Sequence, residues 1–363
     1  MTHVARAADD WTAPGAHAVA PDVWRIPVVL PLDGLKAVNV YAIADAGGLT
    51  LVDGGWALEA ARQALVDGLA VIGAELGDIR RFLVTHAHRD HYTNAVAVRR
   101  ELGTKVALGI GERDAIEQIT RGEPVGLRTH VADLRRHGAG PVADAILALG
   151  SGGDGGRRDY EAPDEWIESG ARFRVGDRVL EAIATPGHTH GHVVFADHER
   201  GVLFAGDHVL PHITPSVGFE AVPHPLALRD YLGSLRLVRG LPDMDLLPAH
   251  GPAGTRVHAR VDALLAHHDQ RLAEIAAAVV DGGSTAYEVA MQIGWTSRRR
   301  RFADLDPFNQ MLAVSETALH LELLALRGEA TVQETDGVAV FERSHREWRG
   351  VPERAADLRP VRA

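Results

Sequence analysis

The sequence predicts an α/β protein in which two sheets lie buried between outer helices, with a helical insertion and a small helical C-terminal domain. Three observations predict it. Short apolar runs alternate with amphipathic helical patterns in two successive stretches, each reading as half of a layered structure. Several of those runs end in a histidine or an aspartate. Beyond residue 255 the pattern changes to long helical faces followed by a hairpin.

Residues 1–21 are Ala-rich, interrupted by Asp9, Asp10, Pro14 and Gly15, and read as a loose start. The runs at 38–43 and 49–52 form a hairpin around Asp45-Ala46-Gly47-Gly48, and Asp53-Gly54-Gly55 follows at the strand end. Leu58, Ala61, Leu65 and Leu69 recur at helical spacing and form a packing face. Phe82-Leu83-Val84 reads as a buried strand, and Tyr92-Thr93-Asn94 leads into a helical pattern at 95–102.

An insertion spans about 111–170, with helical patterns near 127–137 and 142–149 and a glycine run at 151–156. That run lacks the Gly-Lys-Ser/Thr ending of a phosphate loop and reads as a tether. A helical pair there suits either a lid over a site or a tolerated surface insertion. The second α/β portion runs from a strand at 172–185 through a hairpin at 193–207 that turns at 197–201.

Next, Val257, Val261, Leu264, Leu265, His268, Leu272, Ile275 and Val279 keep one helical face apolar. Thr285 and Glu288 make a capping box for a second helix. A third helix covers 310–326, and a hairpin at 330–341 turns at Asp336-Gly337. The expected boundaries are therefore 1–21, 22–255, 256–343, and a charged tail at 344–363.

At 363 residues and 46% apolar composition, the chain can bury a large domain and a smaller one. Its 38 basic and 49 acidic side chains give a net charge of −11, which argues against a general attraction for nucleic acid phosphates or anionic membranes. With no cysteine, disulfides and thiolate metal sites are excluded. No segment approaches the roughly 20 apolar residues of a membrane-spanning helix, and the N-terminus has no apolar signal region. The cytoplasm is the expected compartment.

The most informative stretch is His86-Ala87-His88-Arg89-Asp90-His91, directly after the buried strand. In an extended chain His86 and His88 point to the same side, and Asp90 and His91 are expected in the turn that follows. Three further apolar runs end in His188, Asp207 and His250. A rigid sheet that presents side chains from its strand ends is a common way to position a site. Neutral imidazole and carboxylate suit zinc, iron or manganese. A lone histidine such as His17, His137 or His258 carries no such implication, in a chain that holds 20 of them.

The segments His86–His91, Pro186-Gly187-His188-Thr189 with Gly191-His192, Gly206-Asp207 and Ala249-His250-Gly251 resemble the metallo-β-lactamase superfamily in order and spacing, over about residues 22–255. The resemblance implies an αβ/βα sandwich with a dinuclear site at one edge. It implies that His86, His88 and His188 hold one metal, that Asp90, His91 and His250 hold the other, and that Asp207 bridges them. It also implies that Asp53 supports the site from behind, where the residue alone suits an ordinary Asx turn equally. Because His91 is present and cysteine is absent, the pattern is closer to the glyoxalase II, lactonase and nuclease members than to the antibiotic-degrading ones. The C-terminal order of three helices and a hairpin resembles a winged-helix module, as in superfamily members such as the endoribonuclease β-lactamase-like protein 2.

Two divalent ions, zinc first among them, that share Asp207 lower the pKa of a bridging water and polarise a carbonyl oxygen, so the expected activity is hydrolysis of a small ester, thioester or lactone. Asp90 is the expected catalytic carboxylate, orienting the nucleophile or passing on its proton. Thr85, Thr189 and His192 are expected to steady ligands, and His212, with His208, to line the substrate cleft. Glutathione recognition would need basic residues at the cleft, and no convincing set is present. The alternative is an endoribonuclease acting on single-stranded RNA through Arg298-Arg299-Arg300-Arg301. The third helix does not favour it, offering Glu316, His320 and Glu322 where a reading helix needs bases. The expected partner is thus a small-molecule substrate, with RNA not favoured, no membrane, and homo-oligomerisation open.

Overall fold

The computed structural model describes residues 10–31, 34–122, 127–149, 157–296 and 298–344. Most of the expected tail, the glycine run at 151–156 and the first nine residues lie outside these described residues. The first sheet holds β1 (His17–Ala20), β2 (Val23–Val29), β3 (Ala37–Asp45), β4 (Gly48–Val52), β5 (Ile79–Val84), β6 (Lys105–Gly109) and β7 (Glu165–Ile167), side by side in chain order. Strands β1 to β4 pair antiparallel and β4 to β7 parallel. The parallel crossovers carry α1 (Glu59–Val71), α2 (Arg89–Leu102), and then α3 (Arg113–Arg121), α4 (Leu127–Arg136) and α5 (Gly140–Ala148).

The second sheet contains β8 (Arg172–Val175), β9 (Arg178–Ala184), β10 (Val193–Asp197), β11 (Val202–Gly206) and β12 (Asp245–Pro248) in the order β12-β11-β10-β9-β8. Helix α6 (Ala227–Arg239) makes the crossover that leaves β11 and β12 parallel. The chain continues with α7 (Val257–Ala278), α8 (Ala286–Gln292), α9 (Pro307–Leu326) and the hairpin β13 (Ala330–Thr335) and β14 (Val338–Arg343).

Alternating side chains explain the layers. Along β5, Leu83 faces the other sheet whereas Phe82 and Val84 face α1 and α2. Along β11, Val202 and Phe204 face the first sheet, while Leu203 and Ala205 face the helices on the far side. Strands covered on both faces read as continuous apolar runs, which is why they stand out in the sequence. The result is an αβ/βα sandwich with three apolar layers, as the sequence predicts.

Several details differ from the sequence-based expectation. The strand expected at 172–185 is two antiparallel strands that reverse at Gly176-Asp177, where Gly176 has φ +60°. Helix α2 starts at Arg89, with His88 still extended at φ −62°, ψ 147°, so Asp90 and His91 stand in its first turn and not in a loop. Helix α6 was not expected, although Leu228, Tyr231, Leu232, Leu235 and Val238 bury one face. The end of the 111–170 stretch supplies β7, which pairs with β6 as an edge of the first sheet.

The capping box forms as read: Thr285 Oγ1 accepts from the Glu288 amide at 3.2 Å, and Glu288 accepts from the Thr285 amide at 2.8 Å. Helix α9 begins earlier than expected because Asp306 caps it, accepting from the Asn309 amide at 3.1 Å ahead of Pro307. The helices α4 and α5 bury Val131, Leu134, Val142 and Ile146 in the same core as α8 and α9. They are an integral layer of the molecule.

Candidate metal centre

The ends of β5, β9, β11 and β12 open at one edge of the sandwich, and the loops that follow bring the seven expected ligands together. His86 Nε2 and His88 Nδ1 lie 3.2 and 3.1 Å from His188 Nε2. Asp207 Oδ2 stands 3.5 Å from that same His188 nitrogen. Its other oxygen, Oδ1, is 3.7 Å from His91 Nε2 and 3.4 Å from His250 Nε2. Asp90 Oδ2 completes the second group, 3.6 Å from His91 Nε2 and 3.5 Å from His250 Nε2. Asp207 thus turns one oxygen toward each group.

Each imidazole is oriented by a partner on its outer nitrogen. Nδ1–H of His188 donates to Ser216 O at 2.6 Å, that of His250 to Ala37 O at 2.7 Å, and Nε2–H of His88 to Phe219 O at 2.7 Å. His91 Nδ1–H donates to Asp53 Oδ2 at 2.9 Å. Thr85 gives its hydroxyl proton to Asp53 and accepts from His86 Nδ1–H at 3.0 Å. Neutral and donating outward, each of the five rings turns a bare lone pair inward, the form in which imidazole binds a metal.

The donor set fits a pair of cations. Bare nitrogens 3.1–3.2 Å apart repel one another, yet this spacing is close to the edge of a tetrahedron with metal–nitrogen bonds of about 2.0–2.1 Å. His91 Nε2, His250 Nε2 and Asp207 Oδ1 are buried without a hydrogen-bond partner among the described residues, a costly state that a shared ion removes. Burial and the neighbouring imidazoles hold His86 well below the ordinary histidine range, so it stays neutral. Burial pulls His91 down, but the carboxylates of Asp53, Asp90 and Asp207 outweigh it and push the ring up to about 10. Positive charge is wanted at that point.

Local backbone features build this edge. Asp53 has φ +63°, a left-handed conformation that aspartate tolerates, and its Oδ1 accepts from the Thr85 amide at 2.8 Å. A Cβ on Gly206, at φ +50°, would lie 2.6 Å from His192 Nε2. His192 is not a ligand: its Nε2 accepts from the Asp207 amide at 3.2 Å and its other nitrogen donates to Thr185 Oγ1 at 2.8 Å.

Thr189 donates to Glu112 Oε1 at 2.5 Å. Burial pushes the Glu112 carboxyl up to about 7. Sequence reasoning missed Glu112, whose one signal is the pair of glycines, Gly109 and Gly111, that let this turn approach Gly191. It also missed Ser216 and Phe219, because a carbonyl acceptor leaves no mark in residue type. His208 is buried beneath the site with its carbonyl bound by Tyr231 OH at 3.0 Å, and does not line a cleft. His212 is exposed and takes no part in the ligand contacts.

Fold and site together define an αβ/βα sandwich with a candidate metal centre at one edge. The metallo-beta-lactamase superfamily model matches residues 33–250, more than half of the chain, and the chain belongs to that superfamily. It is 26% identical over 338 residues to "Probable metallo-hydrolase YqjP" of Bacillus subtilis, covering 88% of this chain and 97% of that one. Fungal relatives match over less: lactamase-like protein nscB of Neosartorya fischeri is 30% identical over 36% of this chain, which spans only 42% of the relative. Atrochrysone carboxyl ACP thioesterase of Aspergillus fumigatus is 33% identical over 105 residues, 29% of this chain and 23% of its own. Among solved structures, a metallo-beta-lactamase family protein from Thermus thermophilus superposes with a TM-score of 0.74 at 28% identity, covering 90% of this chain and all of the other.

Proposed function

We propose that this enzyme hydrolyses a small ester, thioester or lactone at a dinuclear centre, with His86, His88, His188 and Asp207 around one ion and Asp90, His91, His250 and Asp207 around the other. The observation that carries the reading is the placement of the two Asp207 oxygens between two groups of inward-facing lone pairs. Two divalent ions held there, zinc first among the candidates, would supply an activated water and a Lewis-acidic hold on the carbonyl oxygen. The chain's own residues do the rest. Asp53, Thr85 and the three loop and strand carbonyls fix the rings, and His192 fixes the Asp207 backbone. Asp90 reaches the open side of the group with one oxygen on two imidazoles, where it orients the nucleophile and accepts or passes its proton.

A relative named as an ACP thioesterase supports testing thioesters first. The glyoxalase II-like label, the small-molecule partner, a cytoplasmic setting and a winged-helix-like unit at 256–343 belong to the same proposal. Against the endoribonuclease alternative, Arg299 is paired with Glu274 at 2.9 Å and Arg301 with Asp304 at 2.9 Å, which reduces the charge the loop offers to phosphate. The deciding experiment is metal analysis of the purified chain together with a panel of thioesters, lactones, β-lactams, phosphodiesters and RNA. Metal-dependent turnover of an acyl substrate, lost in Asp90→Ala and His188→Ala, is expected. Turnover that survives both substitutions, or preference for RNA, overturns the reading.

A further inference from the structure

The segment at 214–220, whose carbonyls orient His88 and His188, is held by parts of the chain far from the ligands in sequence. The Phe219 ring stacks on His130 of α4, with centroids 4.9 Å and planes 19° apart. Its edge contact with Phe308, in the first turn of α9, has centroids 5.5 Å apart and an 89° angle. Gly218 N–H donates to Gly187 O at 2.9 Å, and a Cβ on Gly218 would meet Ala227 at 3.1 Å and Leu319 of α9 at 3.5 Å. His86, His91 and His250 are oriented from the first sheet and its strand ends, through Thr85, Asp53 and Ala37. His88 and His188 depend on a loop, and a loop carbonyl sits where the packing of its side chains puts it.

We propose that Phe219 is a positioning residue for the half of the centre formed by His86, His88 and His188, and that α4 and α9, through His130 and Phe308, hold its carbonyl against His88 Nε2. The C-terminal helices are then part of the support of the metal centre and not an independent appendage. This rests on the dinuclear reading above.

The test uses the full chain loaded with Co2+, a chelator titration and the visible spectrum, for the parent, Phe308→Ala, Phe308→Leu and a control, Leu323→Ala. Leu323 is buried in the same helix, fifteen residues or about 22 Å further along. Phe308→Ala is expected to weaken one of the two ions 10–100-fold and shift its absorption while the other is unchanged, a size typical of a lost orienting partner. Phe308→Leu, which keeps apolar bulk on Phe219, is expected to restore most of that loss. Leu323→Ala is expected to lower the melting temperature and leave both ions as in the parent. Unchanged binding in Phe308→Ala, or equal weakening of both ions there and in Leu323→Ala, overturns the inference. A parent chain that takes up no Co2+ instead sinks the dinuclear reading and this inference with it.

Discussion

His91, in the first turn of α2, and Asp53, at the end of β4, are joined directly: Nδ1 of the imidazole lies 2.9 Å from one carboxylate oxygen, and the other oxygen accepts the Thr85 amide at 2.8 Å. One side chain therefore sets the tautomer of a ligand and the position of the backbone that leads into His86. The unusual φ of +63° at Asp53 is the conformation in which its carboxylate serves both the Thr85 backbone and the start of α2.

Asp53→Asn separates charge from shape, since asparagine accepts the left-handed backbone as readily. The variant keeps the backbone but sets an amide NH2 where a carboxylate oxygen accepted, and it is expected to lose 10–100-fold in affinity for the ion at His91. Asp53→Ala is expected to show the same loss and to be destabilised by about 1–2 kcal/mol from its backbone. Chelator competition and urea midpoints measure the two effects, and an Asn variant that binds both ions as tightly as the parent disproves the role.

Metal removal is expected to lower stability as well as activity. Without ions, the buried carboxylates and bare imidazole nitrogens of the two groups face each other uncompensated. Because ions bind the folded chain far better than the unfolded one, free metal at about 100 times its Kd should add roughly 2.7 kcal/mol. Calorimetry with and without chelator reads this directly, and a melting temperature indifferent to zinc would contradict the fit of the donor set.

The candidate ligands were legible in the sequence because their chemistry is in the residue types: His86, His88, Asp90, His91, His188, Asp207 and His250 each come after a strand, and their side chains converge. Buried strands were legible for a similar reason, since the end of β5, Phe82-Leu83-Val84, and the whole of β11 are apolar on both faces. What stayed hidden depends on contacts between distant segments. The carbonyls of Ala37, Ser216 and Phe219 act through the backbone, which every residue has. Helix α6 is preceded by Leu226, at φ +58° and with no side-chain cap, so the usual starting signal is missing. Gly176-Asp177 separates two strand patterns, Arg172–Val175 and Arg178–Ala184, that read equally well as one continuous strand.

Gly187 tests how tightly the His188 loop is packed. At φ +138°, a Cβ there would lie 2.4 Å from the Cα and Cβ of Tyr231 in α6, a buried residue with little room to move. Gly187→Ala is expected to destabilise by about 1–3 kcal/mol and to displace His188 from its place beside His86 and His88. A denaturant midpoint equal to the parent's would show that the loop yields freely.

The Arg298–Arg301 loop separates the two activities. Changing Arg298 and Arg300 to glutamate is expected to leave acyl-substrate turnover within about twofold of the parent, because surface substitutions away from a site have small effects. An RNA-cleaving enzyme would instead lose salt-sensitive binding to single-stranded RNA in the same variant. Fluorescence anisotropy with a labelled oligoribonucleotide at two salt concentrations decides between these outcomes.

Glu220 gives the stability of the protein a pH dependence that can be predicted in sign. Its Oε2 accepts from the His190 amide at 2.9 Å, but Oε1 is buried without a partner among the described residues. Burial, with a smaller contribution from the nearby Glu112 carboxylate, pushes the carboxyl up to about 8 against the opposing pull of the His190 amide. Below about 4.5, its ordinary value, the folded and unfolded chains both hold the proton. Between there and about 8 only the folded chain does, so the unfolded state binds fewer protons and stability falls as pH rises through that window. Glu220→Gln keeps a neutral side chain at every pH. Relative to the parent, the variant should therefore gain stability as pH rises from about 4.5 to about 8 and level off above it, by a few kcal/mol at most on the order of 1.4 per pKa step. Urea midpoints of both proteins across that range, with His130 and Glu112 left intact, measure the difference, and a constant offset would show that Glu220 is ionised at neutral pH.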